Sequence, residues 1–384
     1  MKKICFISTV DITLNSFVIP VAEEFKKKGF QVYLLADMSD AFFQKYSPLY
    51  TCYNVKMERG VDFKRIFTVI KIFVDIFRKE KFDLIQYATP NASLYASIAG
   101  VIANIPIRVY CQWGIRYVGF SGLKRSFFKM LEHITCKLST SIRPASEKNR
   151  EFAIQENLYN KEKSKVIGNG GAVGIDIWNY PIEKKSDLRK EVCEKYPVLN
   201  NKFIFGFVGR LEKDKGVGEL LTAFIRLAKE DETIALLIVG SIDKYDSNFE
   251  SLLKDAKKCK NIIFTGFSRE VPKLMAAMDV YVHPSYREGF SYVIQQAMSM
   301  GVPILTTDIP GPSEVIENES SGFLVPPRDT DSLELFMKKM RNMTSCQLRE
   351  MGDNGRKQVE KKYRRDYMID LIFKDRNELL NEIL

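Results

Sequence analysis

The sequence predicts an α/β protein made of two parallel-sheet domains. Its 384 residues are enough for two domains of ordinary size, each with its own core. From the start, apolar runs of strand length alternate with amphipathic stretches of helical period, which is the rhythm of βαβ units. That rhythm breaks at a glycine-dense stretch and a polar one between residues 165 and 200, then restarts at Lys202.

Composition fits a soluble globular chain, 45% hydrophobic with no apolar run long enough to span a bilayer. The opening MKKICFISTVD has two lysines but only a very short apolar core, so it reads as a first strand rather than a signal peptide, and a cytoplasmic protein is expected. Seven scattered cysteines (5, 52, 111, 136, 193, 259, 346), an odd number, read as reduced core thiols. Two histidines, His133 and His283, are too few for a metal cluster, and neither a metal nor a cofactor is expected. Charge is uneven. The net is +10, but residues 1–175 carry +11 and the rest −1, which directs the N-terminal half at an anionic partner.

Residues 3–8 form the first expected strand, 9–16 an irregular turn, 17–28 a helix stopped by Gly29, and 31–36 a second strand. The turn contains no glycine, so the G-x-G-x-x-G dinucleotide fingerprint is absent and a nicotinamide dehydrogenase is disfavoured. Residues 61–81 make an amphipathic helix whose apolar side packs on the core. Its other side, with Lys64, Arg65, Lys71, Arg78 and Lys79, also suits an anionic membrane surface. A strand (82–87), a helix (92–103) and a strand (107–111) continue the alternation.

In residues 112–138, Trp113, Tyr117, Phe120, Phe127 and Phe128 interleave with Arg116, Lys124, Arg125 and Lys129 around three glycines. A mobile basic-aromatic loop after a strand C-terminus suits contact with an acceptor or membrane; a buried aromatic cluster with solvated lysines is the plainer alternative. No nucleic-acid module pattern accompanies these residues, so no nucleic-acid partner is expected. A strand (140–143) and a helix (147–155) lead to KVIGNGGAVGIDIW (165–178), whose glycines suit a cleft wall or hinge turns. The first domain ends at 178, residues 179–200 read as a linker, and the second domain spans 201–365.

The second domain opens with a strand, Gly209-Arg210, a loop with Lys215-Gly216 and a helix ending near 229. Two cations five residues apart on such a loop can face one diphosphate, Arg210 by its fork and Lys215 as a point charge. Strands at 234–240 and 261–267 and helices near 247–258 and 270–277 follow. Then comes DVYVHPSYREGFSYVIQQAMSMGVPILTTDIPGPSEVI, read as a strand (280–283), a tight turn, a helix (291–300) and a strand (302–306). Strand C-termini and helix N-termini converge there on negative charge. A carboxylate beside an anion site, Glu288, should face sugar hydroxyls, and Gly289 permits close backbone approach. Ser285-x-x-Glu288 also matches a capping box, which would make Glu288 a helix cap. A strand (322–326) and helices near 330–341, 346–362 and 366–384 close the chain.

Taken together, Gly209-Arg210…Lys215-Gly216, the P-S-x-x-E-G-F run 284–290, the G-V-P-I-L-T-T-D run 301–308 and GFLVP (322–326) resemble glycosyltransferase family 4, over essentially the whole chain. IGNGGAVGID (167–176), with Gly114 and the basic helix after it, is similar to the bacterial capsule and exopolysaccharide branch. The resemblance implies a GT-B fold of two Rossmann-like domains facing a cleft. The N-terminal domain would take the acceptor, the C-terminal one the nucleotide-sugar, and the last helix would cross back onto the first domain. It implies metal-independent transfer of a hexosyl or N-acetylhexosaminyl group with retention, with Glu288, Arg210 and Lys215 as the catalytic residues.

By the same mapping Gly209, Gly289, Phe290 and Ser291 would line the diphosphate, and Gly266, Phe267 and Val271 the base. Trp113, Arg116, Tyr117, Lys124 and Arg125 fall on the acceptor or membrane side. Gln296 stands where the family has a second glutamate for ribose hydroxyls, so weaker or altered nucleotide binding is expected. Trp113 replaces a histidine that often precedes the glycine. The expected partners are a UDP-sugar, a polyprenyl-diphosphate-linked or other saccharide acceptor, and the inner face of the cell membrane, where the protein would be peripheral. Rival expectations are a catalytically weak partner subunit that assists another transferase and, with little support, a nucleotide-sugar epimerase.

Overall fold

The computed structural model describes residues 1–57, 63–242 and 247–382. The start of the helix expected at 61–81 and the last residues of the one expected at 366–384 lie outside them. The chain forms two compact units, Met1–Gly174 with Arg365–Leu384, and Ile175–Arg364.

The first unit holds six parallel strands: β1 (Lys3–Val10), β2 (Gln31–Asp37), β3 (Thr51–Asn54), β4 (Leu84–Tyr87), β5 (Ile107–Gln112) and β6 (Ser141–Pro144), in the order β3-β2-β1-β4-β5-β6. Alternation along β1 sends Cys5 and Ile7 into one core and Ile4 and Phe6 into the other, so the sheet is covered on both faces. The turn expected at 9–16 is a helix, Asp11–Phe17, followed by a second, Ile19–Lys27, with Pro20 in its first turn. Only Leu14 of the first helix is buried, so its sequence carries no apolar stripe that would reveal it.

The C-terminal helix Arg365–Asn381 belongs to this unit. Met368, Ile372 and Leu380 join its core, and Phe373 packs on Phe25 with ring centroids 4.9 Å apart. The helix also brings a buried ionic cluster: Arg143 Nε donates to Asp375 Oδ2 at 2.9 Å, Arg376 pairs with the same carboxylate, and Arg376 Nε donates to Gln86 Oε1 at 2.8 Å.

The second unit repeats the plan with β7 (Phe203–Val208), β8 (Ile234–Val239), β9 (Ile262–Gly266), β10 (Val280–His283), β11 (Ile304–Thr307) and β12 (Gly322–Val325), in the order β12-β11-β10-β7-β8-β9 and again all parallel. Helix Val217–Glu230 covers it with Val217, Leu220, Leu221, Phe224 and Leu227, a stripe of helical period. The linker expected at 179–200 is instead part of this unit. It carries helix Lys185–Lys195, which packs on helix Val271–Ala276 and buries Val192 and Cys193. Arg189 anchors it with two bonds to the Asp279 carboxylate, at 2.9 and 3.0 Å. Its apolar face is too narrow to register against a largely charged sequence.

Candidate active site

In the second unit the chain runs outward through β7, β8 and β9, then returns to place β10 on the other side of β7. Two loops therefore leave adjacent strand ends in opposite directions, which opens a crevice at the carboxyl edge of the sheet, the usual ligand position in such sheets. The loop after β7 carries Arg210 and Lys215; the loop after β10 carries Glu288. The two loops meet backbone to backbone at Gly216, whose φ is +64° and whose Cβ, if present, would lie 2.0 Å from the carbonyl oxygen of Pro284. Thr306 Oγ1 donates to His283 O at 2.8 Å and Thr307 Oγ1 to Ser285 O at 2.5 Å, fixing the second loop to β11.

Three side chains converge on one oxygen of Glu288. Lys215 Nζ donates to Oε1 at 2.5 Å and Ser285 Oγ at 3.0 Å, while His283 Nε2 lies 2.8 Å from it. The Glu288 side chain is 14% exposed. Burial pushes its carboxyl up, but Lys215 and His283 outweigh this and hold it well below the usual carboxylate range. Burial pushes His283 below its ordinary value, against the opposing pull of Glu288. Glu288 caps no helix: the helix after it, Tyr292–Ser299, begins beyond Ser291, so the capping-box alternative fails.

Around this pair the loops are latched by further contacts. Arg287 Nε donates to Asp214 Oδ2 at 2.7 Å, Tyr286 N to Asp214 O at 2.8 Å, and Tyr286 OH to Glu219, with Arg328 above the Tyr286 ring at 4.6 Å. Arg210, 58% exposed, pairs with Glu212. Arg210 and Lys215 of the first loop thus each hold a carboxylate, and that of Lys215 comes from the β10 loop.

The residues named for the donor fall at the same edge of the sheet. Gly209 follows β7. Gly289 and Ser291 precede helix Tyr292–Ser299, and Phe290 is buried against Tyr363, centroids 5.4 Å apart. Gly266 ends β9, Phe267 is 74% exposed, and Val271 starts the following helix. Gln296 is engaged within the unit: its Nε2 donates to Tyr180 OH at 2.5 Å.

The residues named for the acceptor or membrane side all lie in the first unit, and their segment is not a loop throughout. Helix Gly122–Leu138 takes up most of it. Tyr117 corrects the expectation, because it is wholly buried, its OH donating to Glu156 Oε2 at 3.2 Å. Arg125 lies over the Tyr117 ring at 5.3 Å and pairs with Glu156 at 3.5 Å; Arg116 lies over Phe128 and Lys124 over Phe120, each at 4.5 Å. Trp113 is partly buried against Phe17 at 5.5 Å. The aromatics are therefore packed among themselves, with the cations laid over their outer faces.

Sequence reasoning passed over Tyr281, His283 and Asp214. A usable signal was present: Tyr281 and His283 are two apart in a strand, hence on one face, and open directly onto the Pro284–Glu288 turn.

A family model for glycosyl transferases group 1 matches residues 189–358, and one for glycosyl transferase 4-like proteins matches residues 3–145. The capsular polysaccharide biosynthesis glycosyltransferase CapM of Staphylococcus aureus is 30% identical over 344 residues, 89% of this chain and 88% of that protein. The UDP-Gal:α-D-GlcNAc-diphosphoundecaprenol α-1,3-galactosyltransferase of Escherichia coli is 26% identical, covering 94% of this chain and 93% of that one. Among solved structures, Anabaena HepE in complex with UDP superposes with a TM-score of 0.78 at 20% identity, covering 98% of this chain and 100% of that one.

Proposed function

The chain belongs to the GT-B glycosyltransferases of the bacterial capsule and polysaccharide branch, and on that premise we propose that it transfers a hexosyl or N-acetylhexosaminyl group from a UDP-sugar to a lipid-linked saccharide, with retention and without a metal. The observation that carries this reading is the Lys215–Glu288 pair at the β7/β10 crevice. It sets a cation for a diphosphate beside a carboxylate for sugar hydroxyls. Relatives matching over most of their length are named for transfer to diphosphoundecaprenol-linked sugars, one of them from UDP-Gal, which supports both donor and acceptor classes. The same names do not favour a catalytically weak partner subunit.

In the reaction, the acceptor oxygen bonds to the anomeric carbon as the bond to the UDP oxygen breaks on the same face. The acceptor proton passes to the departing phosphate. Charge growing on that phosphate is met by Arg210, Lys215 and the amides of Gly289 to Ser291. Glu288 holds the sugar hydroxyls, Gln296 meets the ribose, and Gly209, Gly266, Phe267, Phe290 and Val271 border the nucleotide. The first unit receives the acceptor at the membrane surface through Trp113, Arg116, Lys124 and Arg125. No helix among the described residues is long and apolar enough to cross a membrane, but Leu123 (91% exposed) and Phe67 (72%) stand among those cations and the basic helix Phe63–Glu80.

Purified protein is to be screened by thermal shift against UDP-, GDP- and ADP-sugars, then assayed for release of the nucleotide. UDP-sugars should raise the melting temperature. Turnover should fall steeply in Glu288→Ala and in Lys215→Ala; turnover unchanged in both removes this site from the reaction. Co-sedimentation with anionic vesicles, reversed by salt, tests the membrane contact.

A further inference from the structure

His283 is 1% exposed and its ring is ringed by oxygen atoms. Nε2 lies 2.8 Å from Glu288 Oε1, 3.1 Å from Ser285 Oγ and 3.2 Å from Ser291 Oγ; Nδ1 lies 3.1 Å from Tyr281 OH. Tyr281 OH is also 3.1 Å from Val208 O. The titratable groups facing the ring are Glu288, Tyr281 and, through Glu288, Lys215. Phe207 stacks on its face at 6.4 Å.

A proton inventory of this cluster has few solutions. An ionised carboxylate only accepts, so an unprotonated Nε2 at 2.8 Å would set two lone pairs against each other. Nε2 therefore carries hydrogen and donates to Oε1. If the ring is neutral, Nδ1 must then accept, and Tyr281 OH is the donor within reach. If Tyr281 gives its proton to Val208 O, Nδ1 must also carry hydrogen, and the buried ring becomes a cation beside Lys215. Burial disfavours that second state.

We propose that His283, held by Tyr281 as its neutral Nε2–H tautomer, is the positioning residue that fixes Glu288 for the donor sugar. Among the described residues Lys215, His283 and Ser285 all meet Oε1, so the carboxylate is pinned by one oxygen and presents the other, Oε2, to a sugar hydroxyl. Lys215 alone would hold the charge but not the angle. A flexible ammonium permits the carboxylate to swing, whereas a ring buried in a strand does not. The inference rests on the reading of Glu288 as sugar-facing.

His283 and the exposed His133 are the only histidines, so ¹⁵N-histidine labelling of the full chain reports the ring directly. Signals lost in His283→Gln identify it. The expected spectrum shows one neutral ring protonated at Nε2 at pH 7. An Nδ1–H tautomer or an imidazolium there overturns the proposal. In Tyr281→Phe the ring loses the donor to Nδ1 while Glu288 still keeps hydrogen on Nε2, so the Nδ1 resonance should move towards that of a ring nitrogen with no hydrogen bond; an unchanged spectrum removes Tyr281 from the device.

UDP release from UDP-galactose or UDP-N-acetylglucosamine gives the second readout. His283→Leu should lower kcat roughly tenfold or more, the effect of one unmatched buried partner, with KM for the donor little changed. His283→Gln, which restores a donor near the Nε2 position, should recover most of that loss. If Glu288→Ala turns over normally, the sugar-facing reading fails. If Glu288→Ala is inactive while a folded His283→Leu keeps wild-type kcat, the positioning role alone fails. Should His283→Leu not fold, Tyr281→Phe decides, and wild-type kcat together with an unchanged spectrum overturns the proposal.

Discussion

The two units share a strand order, β3-β2-β1-β4-β5-β6 in one and β9-β8-β7-β10-β11-β12 in the other, so each has a crevice of the same origin, between β1 and β4 or between β7 and β10. What lines the two differs completely. In the first unit, Thr9 Oγ1 and Thr89 Oγ1 lie 2.7 Å apart, Thr9 N donates to Thr89 Oγ1 at 2.9 Å, and Ala92 N donates to Thr9 Oγ1 at 3.3 Å. Neutral hydroxyls answer the strand end and the helix N-terminus. In the second, a lysine, a carboxylate and a histidine meet within 2.8 Å of one oxygen. The topology supplies a place for chemistry twice, and the side chains use it for charge once. The first unit keeps its buried charge elsewhere, in the Arg143–Asp375–Arg376 cluster that seats the C-terminal helix.

That division implies that ionic changes in the first unit affect stability and those in the second affect turnover. The largest expected effect is Asp375→Ala. It strands two buried guanidinium groups and should cost about 3–5 kcal/mol. The chain's two tryptophans fall one in each unit, Trp113 and Trp178, so urea unfolding followed in Trp178→Phe reports on the first unit. Its transition should move to lower urea. Equal movement of a Trp113→Phe reporter would mean that the units do not unfold separately.

Next is the contrast between crevices. Lys215→Ala should lower the transfer rate by on the order of 10²–10³, as for loss of one group that stabilises developing charge. Thr89→Val removes the corresponding contact in the first unit without touching a charge, and less than a tenfold loss is expected, about 1 kcal/mol for one hydrogen bond. Equal losses would break the comparison.

How much of this was legible in the sequence follows the same line. The strand Val280–His283 and the helix after it stood out because apolar runs of strand and helix length flank a charged turn. The edge strand Thr51–Asn54 did not, being short and largely unburied, and neither did helix Lys185–Lys195, whose few core residues sit in a charged sequence. Lys215 and Glu288 were singled out separately, but 73 residues separate them, and only the order of β7 and β10 makes them partners. His283 looked inert because a lone histidine has no local pattern; its role is written in tertiary contacts. Tyr117 was misplaced for the converse reason, since cations beside it in sequence lie over its ring in the fold rather than extending a binding surface.

The third test uses acid. His283 is held below its ordinary value by burial, and Glu288 lies below its own because Lys215 and His283 outweigh the effect of burial. For both, the unfolded chain binds protons first, so stability present at neutral pH is lost as pH falls. The histidine contribution should begin to go below about pH 6.5 and the glutamate contribution below about pH 4.3, their unfolded values. In urea titrations of the second unit, His283→Gln should flatten the upper part of this decline and Glu288→Gln the lower. The Thr9–Thr89 contact itself contains no titrating group, and Thr89→Val should leave the profile unchanged in shape. A profile for Glu288→Gln identical to wild type would show that the carboxylate is not held by its neighbours.

The smallest effect, and the sharpest control, compares two glycines that share a left-handed backbone. Gly29 in the first unit has φ +85° and nothing within 4 Å of where a Cβ would stand. Gly29→Ala should therefore cost only the conformational strain, roughly 1 kcal/mol. Gly216 has φ +64°, but its Cβ would meet Pro284 O at 2.0 Å and Pro284 C at 2.8 Å. Backbone cannot turn aside as a side chain can, so Gly216→Ala must part the two loops by widening the gap between the segments carrying Lys215 and Glu288. Its stability loss should exceed that of Gly29→Ala by roughly 1 kcal/mol or more, as overpacking does. Turnover should fall with it, which Gly29→Ala gives no reason to expect. Equal stability losses with full activity in both would show that the Gly216–Pro284 contact does not set the distance between lysine and carboxylate.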